Sequence, residues 1–401
     1  MERLKNFAYI IYILSLIPGD TFYSDLYIAQ SFFLVPIVFL YLAKNKYNFN
    51  SQIIFPVLFV IGIATFYLLI NPVKSIIEWY RIIGNIFLLI MVYDFYKNKS
   101  RNFIIFPMIL IGIIPAIAFY LGFWELKLEN QLRMSFLRHD PNILSYNLLF
   151  AYIFTLYYFK FESYKWVTKY CLIFIVSGFY ALPILATLSR TALASFILIF
   201  VLYLLLAETR KIYRFITFLV AFVIVTTVVI KLANNDLVSA LTERISAEDD
   251  ARSNYLAASL KVVGNNFFTG VGLANFGDNR WRISNGFFMI QDGQILQTAS
   301  HNGILDIIMI GGIFFLLAII YLLLFPTLKV FQRRYSCVKK EYYLDRFLTI
   351  SVFTIFIVIN LTYSSYMSKT AWTSVALLYI LTNKYNRLRN IDNNLIKNGK
   401  A

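Results

Sequence analysis

The stretch ASHNGILDIIMIGG, Ala299 to Gly312, sets His301, one of only two histidines in the chain, at the head of a strongly apolar run. Ser300 just before it can cap the helix that this run would form. The free N–H groups and positive dipole end of a helix head disfavour an imidazolium, so His301 is biased towards the neutral form that a general base requires. The same position also suits a capping or interface histidine. Arg190, in LSRTALASF, opens another apolar run, where an arginine either snorkels to the interface or meets an anion. Arg81 lies deeper in a third run with Glu78 one turn away, which fits an internal salt bridge or a ligand site. Guanidinium groups bind phosphate oxygens bidentately, so several of them beside helix heads would make a clamp for a diphosphate.

Composition says which elements must position these groups. The 401 residues are 59% hydrophobic and only 14% charged, with a mean hydropathy of +0.67, outside the range of soluble domains. A net charge of +16 would suit nucleic acid, but no soluble basic domain is present, and basic residues of a membrane protein collect in cytoplasmic loops facing anionic lipid. Nucleic acid is therefore not an expected partner, whereas membrane lipids are. Cys171 and Cys337 lack metal-ligand spacing and read as inert thiols. No metal or cofactor motif is present.

A membrane span needs about 20 apolar residues. Runs near 5–18, 26–43, 52–70, 76–96, 103–123, 142–160, 167–187, 191–207, 213–231, 303–326, 347–363 and 370–383 meet or approach this, giving an all-α polytopic protein of about 12 transmembrane helices. The first run starts with Arg3 and Lys5 but lacks a small-residue cleavage site, so it reads as a retained helix. Of the 37 Lys and Arg residues, 24 fall in the termini and in the alternate connections of one side, which puts both termini in the cytoplasm. The chain then divides into spans one to nine (1–231), a large external loop (232–300), spans ten to twelve (301–383) and a basic cytoplasmic tail (384–401).

This topology aims the starts of spans six, eight and ten at the outer face. Span six opens with His139-Asp140-Pro141-Asn142, where Asp caps and Pro suits the first helical position. Ser189 and Ser300 cap the other two in the same way. Three helix heads together would attract an anion. In the loop, Glu248-Asp249-Asp250 begins a helix that ends at Gly264-Asn265-Asn266, with Tyr255, Leu256, Leu260 and Val263 as an apolar face for the membrane or the bundle. The Gly270-Val271-Gly272 that follows reads as a tight turn or, more weakly, as a phosphate loop.

Three stretches in this order, LSRTALASF (Leu188 to Phe196), NNFFTGVGLANF (Asn265 to Phe276, with Arg252 on the preceding helix) and HNGILDIIMIGG (His301 to Gly312), resemble the core of the O-antigen ligase and polymerase superfamily. Where that family usually has a proline before the glycine turn, this chain has Asn265-Asn266. The resemblance extends by topology to the whole chain and implies a membrane glycosyltransferase of GT-C-like architecture in the bacterial inner membrane. Its active site would face the periplasm and work on undecaprenyl-diphosphate-linked oligosaccharides without a cofactor.

Arg190 and Arg252 would then hold the donor diphosphate, with His301 as the base for an acceptor hydroxyl and inversion at the sugar. Arg81, Arg244, Arg280 and Arg282, together with Asn302, are further candidates for sugar or phosphate contacts. His139, Asp140 and Asn142 would shape the acceptor side. The Asp140-Pro141-Asn142 element is similar to one frequent in the polymerases, so transfer of the growing chain onto the next lipid-linked repeat is expected, with ligation to a lipid A core sugar as the alternative. A polymerase further implies a partner that regulates chain length. From another class, a lipid-linked oligosaccharide flippase would show an internal repeat, and none is visible.

Overall fold

The computed structural model describes residues 51–96, 101–128, 132–136, 141–159, 165–206, 250–286, 288–291, 294–297, 302–331, 339–362 and 370–380. Each apolar run inside these ranges folds as a helix, because backbone polar groups taken out of water are satisfied within a helix. The helices are α1 (Ser51–Ile70), α2 (Pro72–Tyr96), α3 (Arg101–Tyr120), α4 (Pro141–Tyr158), α5 (Trp166–Ala186) and α6 (Arg190–Leu206). Three in the loop region, α7 (Asp250–Asn265), α8 (Gly272–Gly277) and α9 (Asn279–Ser284), precede α10 (Gly303–Phe331), α11 (Lys339–Thr362) and α12 (Thr370–Ile380). Nine of the expected spans are thus helical. The runs at 5–18, 26–43 and 213–231 lie outside the described residues. By length and composition Val167–Ala186, Gly303–Leu328 and Tyr343–Leu361 are long enough to cross a membrane, with Ile54–Ile70, Ile105–Tyr120, Arg190–Leu206 and Thr370–Ile380 as shorter apolar helices.

The architecture is all-α as expected, with one small departure among the described residues. Two short antiparallel hairpins occur, β1 (Glu125–Leu128) with β2 (Leu132–Ser135), and β3 (Phe288–Gln291) with β4 (Gln294–Gln297). The first fills the connection between α3 and α4 and packs through β2 on α4 and α5, burying Met134.

α4 is the central helix. From Leu144 to Tyr157 every residue is buried, so its apolar character runs all the way round, as a helix without a solvent or lipid face requires. It packs against α3, α5, α6 and α11. The α3 contact is close because Gly112 has no side chain: a Cβ there would stand 2.4 Å from that of Ala151. Polar side chains inside this core meet each other, Tyr152 with Ser177 at 2.8 Å and Thr155 with Tyr180 at 2.9 Å, joining α4 to α5.

Three contacts fix the relative directions of the helices. Tyr157, near the end of α4, donates to Asp345, near the start of α11, at 2.6 Å. Tyr203, near the end of α6, meets Phe347 edge-on with ring centroids 5.1 Å apart. Gly303, the first residue of α10, lies against Asn360 near the end of α11. α4, α6 and α10 therefore all run opposite to α11. Their three heads share one side of the bundle, as the topology read from the sequence requires.

Candidate active site at the shared helix heads

The head of α6 is built by an abrupt turn. α5 ends at Ala186, and Leu188, fully buried, adopts φ 51 before Arg190 begins the next helix. A left-handed conformation is where glycine usually ends a helix, and a leucine there costs about 1 kcal/mol, an outlier of the kind that collects at functional turns. Leu188 N donates to Leu185 O at 2.9 Å, and Thr187 Oγ1 to Ile184 O at 2.7 Å, so the turn is closed by α5 itself. Ser189 precedes α6 as expected, and its carbonyl accepts from Leu193 N at 3.0 Å. Arg190 stands half-buried on this turn.

At the head of α10 the expected cap, Ser300, lies outside the described residues. Asn302 Oδ1 accepts from the N–H groups of Ile304 and Leu305, both at 3.1 Å, so Asn302 fills the capping position. This engages the side-chain oxygen of a residue expected to touch substrate. Asn302→Ala is expected to cost about 1 kcal/mol in a detergent melt, with Asn302→Asp near native and Ser300→Ala neutral. Gly303 follows because nothing larger fits: a Cβ would stand 2.3 Å from Asn360 Oδ1. Asp306, fully buried in the first turn of α10, adds a carboxylate at the positive end of the helix.

Deeper in α10 lies a junction that the separate sequence motifs did not announce. The helix breaks at Gly311 (φ −137, ψ 16) and Gly312 (φ 73, ψ −174), freeing backbone groups that the glycine-rich turn after α7 takes up. Ile313 N donates to Phe267 O at 2.9 Å, and Val271 N donates to Met309 O at 2.6 Å. Gly270 and Gly312 both have positive φ, and each sits where the other segment's backbone leaves no room for a Cβ. Tyr67 at the end of α1 donates to Thr269 O, and its ring covers Gly272. The Gly270-Val271-Gly272 segment is therefore a docking turn and not a phosphate loop: Gly270 N is already given to Asn266 O at 2.8 Å and Val271 N to Met309 O. Asn266 also closes α7 through Nδ2 to Val262 O at 3.1 Å.

α7 has the expected limits, but its buried strip is Ser259, Val262 and Val263, which faces α10, while Leu256 and Leu260 are exposed. The expected apolar face is thus split, Val263 going to the bundle. Arg252 lies in the first turn of α7, and its side chain, like that of Tyr255, falls outside the described residues, as do His301, His139, Asp140 and Arg244 entirely.

The remaining arginines divide. Arg81 is in an ion pair with Glu78 at 2.7 Å on α2, so the salt-bridge reading holds there. Arg282 is turned inward: Nε donates to Phe276 O at 2.6 Å and the guanidinium stacks over the Phe276 ring at 4.7 Å, locking α8 to α9. Arg280, exposed, begins α9 under the cap of Asp278. Asn142 sits in the first turn of α4, its carbonyl accepting from Ser145 Oγ at 2.6 Å.

The architecture thus places Asn142, Arg190 and Asn302 at three helix heads on one side. α6 reaches α7 through α11 and α10, with which they respectively pack. Tyr67, Asp306 and Asn360 were not singled out from sequence. The signal for the last two was a polar side chain inside an apolar run, whereas Tyr67 gave none.

Apolar helices whose heads gather on one side, with a short-helix insert docked into a broken helix, fit a polytopic membrane protein. Residues 172–320 match the family model described as O-antigen ligase, from α5 through the α6 head, the insert and the break in α10, the stretch that carries the resemblance to the O-antigen ligase and polymerase superfamily. The match supports, at a coarse level, an enzyme of the glycosyl-transfer type. The match takes in Arg190, Arg244, Arg252, Arg280, Arg282, His301 and Asn302, and leaves Arg81, His139, Asp140 and Asn142 outside. No curated protein matches the chain.

Proposed function

We propose that the protein is a surface-polysaccharide polymerase of the O-antigen type. It transfers a growing chain from its undecaprenyl diphosphate carrier to the next lipid-linked repeat unit, on the periplasmic face of the bacterial inner membrane. The observation that carries this reading is the common side of the α4, α6 and α10 heads within a chain whose family segment runs from α5 to α10. Heads of helices present N–H groups and positive dipole ends, and Arg190 adds a fixed cation to one of them.

In the reaction, the anomeric carbon of the chain's reducing-end sugar loses its bond to the diphosphate oxygen. A hydroxyl of the incoming unit forms the new bond from the opposite face, with inversion. Arg190 and Arg252 take the charge that develops on the departing diphosphate, and His301 accepts the hydroxyl proton. Positive charge from arginine and helix dipoles serves in place of a metal. Arg280 is the outer arginine free to turn towards sugar or phosphate, with Arg244 beside the same loop in sequence. His139, Asp140 and Asn142 belong to the acceptor side. A regulator of chain length and the surrounding membrane lipids are the expected partners.

Ligation of finished polymer to lipid A core is favoured by the description of the matched family. A polysaccharide gel of a deletion strain separates the two. Loss of the ladder with a single repeat still attached to core is the polymerase result. Core bearing no repeat at all is the ligase result and would overturn the polymerase assignment.

A further inference from the structure

The turn that joins α7 to α8 raises a question independent of sugar chemistry. Phe267 and Phe268 are 40% and 66% exposed, and Leu256 and Leu260 on α7 are 42% and 51% exposed. Four large apolar side chains on an extramembrane insert are unusual, since water-facing surfaces seldom gather them.

Their position explains them. The turn is pinned to α10 at Met309 to Ile313, and Gly311 lies eight residues along from Gly303, about 12 Å below the helix head at 1.5 Å per residue. Phe268 packs on Phe314 with centroids 6.3 Å apart. Phe314, Leu317 and Tyr321 are each about half exposed and recur one turn apart along a helix apolar enough to cross a membrane. Such a stripe on a spanning helix faces acyl chains, and Phe268 continues it.

The backbone of the turn carries a second, separate indication. Non-helical chain at membrane depth is tolerated only where its polar groups are satisfied by protein. Here Gly270 N, Val271 N, Phe267 O and Thr269 O are all hydrogen-bonded, to Asn266, Met309, Ile313 and Tyr67 respectively. On α7, Lys261 and Asn265 are exposed away from the strip that Leu256 and Leu260 share, so the helix has a wet side and a greasy one.

We infer that α7 and the 266–272 turn form a membrane-inserted element, with Leu256, Leu260, Phe267 and Phe268 seated among the acyl chains of the leaflet on the side of the large loop. The test uses the full chain in lipid vesicles with Cys171→Ser and Cys337→Ser, and single cysteines at Leu260, Lys261, Asn265 or Phe268. A thiol held in hydrocarbon ionises poorly, so Leu260→Cys and Phe268→Cys should react with a membrane-impermeant maleimide about tenfold or more slowly than Lys261→Cys and Asn265→Cys. A fluorophore on the slow pair should also be quenched by nitroxide-labelled acyl chains more than one on the fast pair. Equal labelling at all four positions would overturn the proposal. Slow labelling at 260 and 268 without extra quenching by lipid would overturn it too, since a second copy or another segment of the chain would then cover the patch. If the cysteine variants fold poorly, Phe268→Trp against Asn265→Trp gives the same comparison through quenching by brominated lipid, with equal quenching as the contrary result.

Discussion

Gly312→Ala is expected to lose the native junction between α10 and the loop insert, with a clear fall in melting temperature and loss of activity together. Two costs coincide. A side chain at φ 73 pays about 1–2 kcal/mol for the left-handed backbone. The new Cβ would also lie 1.9 Å from Phe268 O, and relieving it by backbone movement costs about 1–3 kcal/mol more. The sum is a large part of the roughly 5–15 kcal/mol that holds a folded protein together. Movement cannot be cheap here, because Phe268 lies between Phe267, which accepts from Ile313 N, and Thr269, which accepts from Tyr67. Gly270→Ala should behave alike, at φ 70 with Met309 O 2.7 Å from the new Cβ. Gly84→Ala and Gly178→Ala supply the contrast: both are helical, with nothing within 4 Å of a Cβ, so alanine should be neutral or stabilising by up to about 1 kcal/mol. A Gly312→Ala protein that melts with the Gly178→Ala protein would show that the two glycine segments do not interlock.

That junction also marks what sequence could convey. Apolar run length is a local property, so nine helices and the limits of α7 were readable, most ends to within a few residues, and the alternation of spans gave the common sense of α4 and α6 that the Tyr157–Asp345 and Tyr203–Phe347 contacts require. Gly311-Gly312 inside such a run is compatible with a continuous helix or a break. The deciding partner, Phe267 to Val271, lies about forty residues earlier in the chain, and no periodicity links the two. The hairpins were hidden for the opposite reason: strands of four residues such as ELKL and FMIQ are too short to show an alternation. Arginines were legible as charges but not as directions. Arg81 and Arg282 read only as weaker candidates for sugar or phosphate contacts; one pairs with Glu78 and the other donates to Phe276 O.

The α6 head carries Arg190, and it gives the second large prediction. Arg190→Ala should shorten or abolish the polysaccharide ladder while leaving the melt near native, since the side chain is half-exposed and α6 keeps Ser189 and its packing on α4, α5 and α11. Arg190→Lys discriminates between roles. It retains the charge and the snorkelling reach but loses the planar fork, so a diphosphate clamp should still lose about tenfold or more in chain transfer, whereas a merely interfacial arginine should not. His301→Ala, at equal protein level, should lower the rate by about 10²–10⁴-fold, the range a positioned general base supplies. Full ladders from Arg190→Lys would remove bidentate phosphate recognition from this helix head. An unchanged ladder from His301→Ala would leave the α10 head with a cap and a dipole but no base, and the hydroxyl proton would have to leave by another route.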